Sequence, residues 1–272
     1  MTSDDNRAHG VTPGLRHDYT TRTVTRQGAF LLPYLLPGMN LLDVGCGPGT
    51  ITLGLAQAVH PGHVIGVDHD AEHVKAARAL AAERGVTNAT FEEGDAMALR
   101  FEDSSFDTAF ENDLLTHLSH NATRAARDVY RVLKPGGFFG ARDVDAEAVV
   151  WGHLTDPIRQ LDRLMMAWQQ SRGSDITLGK RLPAILREAG FTPTVKSVSA
   201  DTKGDAEAVR SHARITTFLL DGPLGRDALA SGWADESALE QIKANILAWA
   251  EHPDAFFANV HVEVVGWKQS TA

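Results

Sequence analysis

Between residues 40 and 143 short apolar runs alternate with helical stretches, and glycines join the first pair. Asn40-Leu41-Leu42-Asp43-Val44-Gly45 reads as a buried strand. Gly45-Cys46-Gly47-Pro48-Gly49 is a tight loop, and Thr50 to Val59 has helical spacing. A second strand (His63 to Asp68) and a second helix (Ala71 to Arg84, with Val74, Ala77 and Leu80 facing inward and Gly85 as its stop) follow. Further strands fall at Ala89 to Glu93, Phe106 to Glu111 and Gly137 to Asp143. Asn121 to Leu133 is a helix ended by Lys134-Pro135-Gly136-Gly137. Strands alternating with helices of this length imply βαβ units, a parallel sheet and right-handed crossovers.

Outside this series the pattern changes. Residues 1–19 read as a flexible N-terminal segment, polar and broken by Gly10 and Pro13. Thr20 to Leu36 reads as a leading helix with Phe30, Leu31 and Tyr34 on its apolar face, stopped by Pro37-Gly38. Asp156 to Ser171 is amphipathic, Leu178 to Ala189 is a helix capped by Gly190, and Phe191 to Ser199 is a strand. Residues 205–252 are mostly helical. Val260 to Trp267 (VHVEVVGW) alternates cleanly and suggests an antiparallel strand at the end of the sheet. The expected fold is α/β: a doubly wound, mostly parallel seven-stranded sheet with an antiparallel last strand. Helical cap elements at about 150–190 and 205–252 are expected to cover its crevice. The helices at 205–252 read as a lid or as a dimer surface.

Composition narrows the partners. The 272 residues carry 26 Lys and Arg against 35 Asp and Glu, a formal charge of −9. Such a surface repels phosphate backbones, so no nucleic-acid partner is expected. No run of about 18 apolar residues exists, so no membrane span is expected. The single cysteine, Cys46, makes neither an intrachain disulfide nor a multi-cysteine zinc site, and a cytoplasmic location fits.

The glycine loop lets backbone approach a ligand, and the helix after it presents free N–H groups. Its spacing, Gly45-x-Gly47-x-Gly49, departs from the dinucleotide fingerprint. Asp68 ends the second strand and therefore sits at the crevice, where a carboxylate accepts both hydroxyls of a ribose. The competing reading is a helix N-cap, which Asp68 or Asp70 could serve. Asp95, with the N–H of Ala96, follows the third strand and can read the amino edge of adenine. His69 follows Asp68 and is placed to flank that adenine.

The runs LLDVGCGPG, VIGVD, EEGDA, FDTAF and RVLKPGG, in this order, resemble the class I S-adenosylmethionine-dependent methyltransferases. The similarity covers about residues 20–143. It is nearest the small-molecule branch of ubiquinone and menaquinone biosynthesis and natural-product tailoring. The resemblance implies S-adenosyl-L-methionine as cofactor and a small-molecule methyl acceptor. Asp43, Gly45, Cys46 and Gly47 would line the methionine side, Asp68 the ribose, and Asp95 and Ala96 the adenine. Glu111 and Asn112 would lie beside the methionyl group. Tyr19 and Arg22, in the leading segment, would lie near the cofactor carboxylate. The sequence departs from the family at Glu111-Asn112-Asp113, where a small or aromatic residue is common. This points to a polar acceptor or to a different hydrogen-bond pattern.

Methyl transfer needs a general base only when the nucleophile must lose a proton. His117, after the fourth strand, is the first candidate and His153 the second. The pairs His60/His63 and His69/His73 do not make a persuasive metal site, and neither do Asp113, Asp143 and Asp145, so no metal is expected. A nicotinamide-dependent oxidoreductase and a non-catalytic cofactor-binding module are the alternatives. A homodimer is compatible with the sequence.

Overall fold

Leu41 and Leu42 face opposite sides of one sheet, and neighbouring strands repeat the alternation. Leu42, Ala109 and Phe139 enter one core, whereas Leu41, Phe110 and Phe138 enter another. The structure is a computed structural model that describes residues 21–270. Tyr19 and the segment 1–19 lie outside the described residues. The chain divides into two compact units, one of residues 21–144, 177–199 and 261–270, the other of residues 145–176 and 200–260.

In the first unit β1 (Leu41–Val44) pairs in parallel with β2 (Val64–Asp68) and with β4 (Phe106–Asn112). β3 (Ala89–Glu93) extends the sheet beyond β2, and β5 (Leu133–Val144) extends it beyond β4, both in parallel. β8 (Phe257–Trp267) then runs antiparallel to β5 through His261 to Trp267, and β7 (Thr194–Lys203) pairs with β8. The mostly parallel sheet with its antiparallel last strand is as expected, but a short added strand, β6 (Val150–Trp151), also pairs with β8, so the sheet has eight strands rather than seven.

Two layers of helix cover the sheet. α2 (Thr50–Val59) buries Ile51, Leu55, Ala56 and Val59 on one face with Leu31 and Leu35. α5 (Ala122–Val132) and α7 (Leu182–Ala189) cover the other face with Ala126, Val129, Leu182 and Leu186. Full burial of each such leucine or isoleucine stabilises the fold by roughly 1.5–3 kcal/mol. α3 (Ala71–Glu83) packs Val74, Ala77 and Ala81 with Phe91 and Cys46.

The leading segment corrects the expectation of a continuous helix over Thr20 to Leu36. Its described part forms only α1 (Val24–Gln27) and a 3-10 turn, Leu32–Tyr34. Gly28 terminates α1, and Pro33 has no N–H for a continuing α-helix, so the Phe30–Tyr34 face is carried by a turn. The loop after β4 likewise contains a short helix, α4 (Leu115–Leu118).

The second unit is mainly helical: α6 (Asp156–Ser171), α8 (Ala206–Asp221), α9 (Pro223–Ala230) and α10 (Glu236–Trp249). β6 (Val150–Trp151) pairs there with Phe257 and Ala258. Ile158, Leu161, Leu164, Trp168, Ile242 and Trp249 share its core. The buried indoles keep their N–H groups satisfied: Trp168 donates to Asp227 at 2.8 Å and Trp249 to the Gly152 carbonyl at 2.6 Å.

Candidate active site

The carboxyl ends of β1, β2 and β3 come together around the glycine loop. The N–H groups of Gly45 and Cys46 both donate to the Val67 carbonyl, at 2.7 and 3.0 Å, which ties the loop to β2. Gly49 has φ +82°, and a β-carbon there would meet Ala77 Cβ at 2.9 Å and Phe91 at 3.0 Å. Only glycine lets α2 begin this close to α3 and β3. Gly47, at φ +52°, is the opposite case: a β-carbon would meet nothing within 4 Å. Its backbone faces open space, as a cradle for a ligand requires.

Asp68 is 7% exposed and organises this loop. Its Oδ2 accepts the Gly47 N–H at 2.8 Å and its Oδ1 the Asp70 N–H at 2.9 Å. Oδ2 retains a lone pair for a further donor. Burial raises the Asp68 carboxyl, but hydrogen bonds from His73, Asp70 and Gly47 outweigh it, so the group lies below the usual carboxylate range. The N-cap of α3 is Asp70, whose Oδ1 accepts the Glu72 N–H at 2.8 Å, so Asp68 is not spent on capping. His69 and His73 each place Nδ1 3.5 Å from Asp68 Oδ1; the His69 side chain is largely exposed. Asp95 is exposed just past β3, and the Gly94 N–H donates to the Asp68 carbonyl at 3.0 Å, which brings Asp95 and Ala96 alongside.

Asp43 lies beneath the loop, 2% exposed. Thr52 donates its hydroxyl to Asp43 Oδ2 at 2.6 Å. Burial pushes this carboxyl up to about 7, against the Thr52 hydrogen bond and with a contribution from Asp68. Burial, with Asp43 and Asp68 nearby, also pushes the Cys46 thiol up, so it is a packed and unreactive group.

A second polar cluster occupies the ends of β4, β5 and β8. Glu111 is fully buried and accepts the N–H groups of Arg142 and Leu114, both at 3.0 Å. Asp143, also fully buried, accepts the Thr116 N–H at 2.9 Å through Oδ1. Burial first, then mutual repulsion, pushes Glu111 far above its ordinary range. Asp143 rises to about 7, mainly through burial, with Asp113 adding to the effect. Burial and the nearness of the two carboxyl groups therefore favour the protonated form of Glu111.

Asn112 and Asp113 complete the corner. The wholly buried Arg142 donates to Asn112 Oδ1 at 2.8 Å and to Ser199 Oγ at 3.2 Å. Asp113 adopts φ +57°. Its Oδ2 lies 3.1 Å from Arg22 Nη2, and its Oδ1 lies 3.2 Å from His261 Nε2. Burial raises Asp113, but His261 and Arg22 outweigh it and hold the carboxylate far below its ordinary range.

Of the two histidines singled out as bases, His117 is exposed on α4. His153, also exposed and at φ +55°, belongs to the helical unit, where its ring stacks on His252 at 3.5 Å between centroids. His261 escaped the sequence reading, although a His-x-Glu pair within an apolar alternating strand was its signal. In the sequence Asp113 and Asp143 read only as weak metal ligands, and nothing local announces the burial that joins them to Glu111 and His261.

A doubly wound sheet whose first three strand ends carry a glycine loop, a buried Asp and a third carboxylate defines a nucleoside-cofactor domain. Comparison with known proteins gives the family. A family model described as a methyltransferase domain matches residues 35–190. The chain is 30% identical over 291 residues to the probable methyltransferase ltbC of Aspergillus luteorubrus, covering 95% of this chain and 99% of that protein. It is 31% identical over 212 residues to a demethylmenaquinone methyltransferase of Lactococcus lactis, covering 70% of this chain and 79% of that one. Among solved structures, the YcgJ protein of Bacillus subtilis matches with a TM-score of 0.59 at 21% identity, covering 89% of this chain and 98% of that chain. The chain belongs to the methyltransferase-domain family; it is an S-adenosylmethionine-dependent methyltransferase. The open backbone at Gly47 and the remaining acceptor capacity of Asp68 fit that cofactor.

Proposed function

We propose that the acceptor is a neutral small organic molecule presenting a hydroxyl or an enolizable carbon, received at the carboxyl ends of β4 and β5, beside His261 of the antiparallel β8. One observation carries this reading: Glu111, Asp113 and Asp143 are gathered there, with His261 against Asp113. Acidic groups gathered beneath the pocket floor disfavour an anionic acceptor and leave a neutral one unpenalised.

The cofactor supplies a methyl group already activated on a cationic sulfur. The chain's task is to align it with the nucleophile and to exclude water. In this reading Asp68 accepts the ribose hydroxyls. Asp95 and the Ala96 N–H read the adenine, which His69 flanks. Asp43, Gly45, Cys46 and Gly47 line the methionine side, with Glu111 and Asn112 beside the methionyl group and Arg22 toward its carboxylate. His117 takes the acceptor proton where one must leave. For His153 the stack on His252 supplies a structural role.

Another relative, 39% identical over 205 residues, is named arsenite methyltransferase. Soft centres of that kind are held by thiolates. The single cysteine here, Cys46, is buried, which favours an organic acceptor. The charge of −9 favours small molecules over nucleic acid. No described helix is long and apolar enough to cross a membrane, and a free thiol suits the reducing cytoplasm. A homodimer through the helical unit is supported by the exposed Phe218, Leu229 and Leu247, and sedimentation as a monomer would refute it.

Incubation with a deuterated-methyl donor and a panel of phenols, quinols, enolizable ketones, amines and arsenite tests the acceptor class by mass spectrometry. Label on hydroxyl or carbon acceptors is expected. Transfer confined to amines or arsenite would overturn the proposal.

A further inference from the structure

We infer that Asp113, braced by His261, is a positioning residue: it latches Arg22 beside the glycine loop so that the guanidinium meets the carboxylate of the cofactor's amino-acid end. This rests on the reading that the loop holds S-adenosylmethionine.

Three contacts place the latch. A β-carbon at Gly54 on α2 would run into Val24, so α1 crosses the helix that follows the glycine loop. A β-carbon at Gly45 would meet the Leu114 side chain at 3.1 to 3.3 Å, so the segment after β4 lies against the loop itself. Asp113, next to Leu114, then bonds Arg22, two residues before α1, at 3.1 Å. The leading segment is thus fixed on both sides of the glycine loop.

Asp113 is built for this task. Its backbone N–H donates to the Arg142 carbonyl at 2.8 Å, and the Asn112 side-chain amide donates to its Oδ2 at 3.1 Å. Its left-handed backbone costs about 1 kcal/mol, less for Asp or Asn than for most residues. His261 comes from β8, beyond β5, and places Nε2 3.2 Å from the second oxygen. The carboxylate therefore remains charged and aimed while Arg22 holds the first oxygen.

Two arginines stand at this corner. Arg142 is 0% exposed and engaged with Asn112, Ser199 and Glu263. Arg22 is 18% exposed. The cofactor carries one carboxylate, and a guanidinium with five N–H donors can hold Asp113 and reach a second carboxylate. Asp113 fixes that geometry without touching the ligand.

Calorimetric titration with two ligands isolates the effect: S-adenosylhomocysteine, and 5′-methylthioadenosine, which lacks the amino-acid end. Asp113→Asn keeps a side chain that tolerates the left-handed backbone and removes the charge. It should weaken S-adenosylhomocysteine by about tenfold, as loss of one charge-assisted contact does, and leave methylthioadenosine within about twofold. Arg22→Ala should show the same selectivity, and the double variant should be no weaker than Arg22→Ala alone. Equal weakening of both ligands by Asp113→Asn would make the residue merely structural and overturn the inference. A selective loss with Arg22→Ala but none with Asp113→Asn would also overturn it, while sparing the role of Arg22. Failure of the wild-type enzyme to bind either ligand would instead refute the cofactor reading on which the latch rests.

Discussion

Replacing Asp43 by Asn should change how stability depends on pH. Asp43 is buried under the glycine loop, and its carboxyl is raised from 3.8 to about 7, chiefly by burial. The folded protein therefore holds this proton more tightly than the unfolded chain. The associated stability is present below pH 4 and is lost as pH climbs toward 7. A shift of this size corresponds to about 4 kcal/mol over the full range, of which about 2.5 kcal/mol falls between pH 5 and pH 8. Asn cannot ionise, yet its amide oxygen still accepts the Thr52 hydroxyl that Asp43 Oδ2 accepts at 2.6 Å. Urea unfolding followed by tryptophan fluorescence, on both proteins without ligand at several pH values, isolates the effect, because the titrating groups not coupled to Asp43 cancel in the difference. Wild type should lose stability relative to Asp43→Asn by about 2.5 kcal/mol from pH 5 to pH 8. Parallel curves would show that Asp43 is ionised throughout and would refute the argument from burial.

Other substitutions test the rest of the site. Asp68→Ala should weaken S-adenosylhomocysteine by more than about tenfold, since it removes charge-assisted hydrogen bonds and the anchor of the Gly47 N–H; unchanged affinity in calorimetry would remove Asp68 from the site. Gly49→Ala should destabilise the fold by about 1–3 kcal/mol through the clash with Ala77 and Phe91, seen as a lower melting temperature. An unchanged melting point would mean that α2 can shift without cost. His117→Ala should lower turnover with an identified hydroxyl acceptor and spare cofactor affinity, whereas full turnover would make His117 structural.

What the sequence conveyed and what it withheld follow from range. β1 to β5 and their helices are written in local periodicity and in the glycines that punctuate it. The roles weighed for Asp68 and Asp70 became distinct once Asp70 was seen to cap α3. The leading helix was misread because Phe30, Leu31 and Tyr34 share a face, while Gly28 and Pro33 break the backbone beneath them. The corner of Glu111, Asp113, Asp143 and His261 was the least legible part. Its members lie on or just after three strands that only sheet order makes neighbours, and their charge states depend on burial. An Asp after a strand looks like a turn residue until Arg22 and His261 are found on either side of it.

The central claim is that the ends of β1 to β4 hold S-adenosylmethionine. Calorimetric titration of the wild-type protein with S-adenosylhomocysteine, with NADH as the control ligand, tests it most directly. The account predicts one-to-one binding of S-adenosylhomocysteine in the micromolar range and no heat of binding from NADH. Binding of NADH instead, or of neither ligand by folded protein, would contradict it.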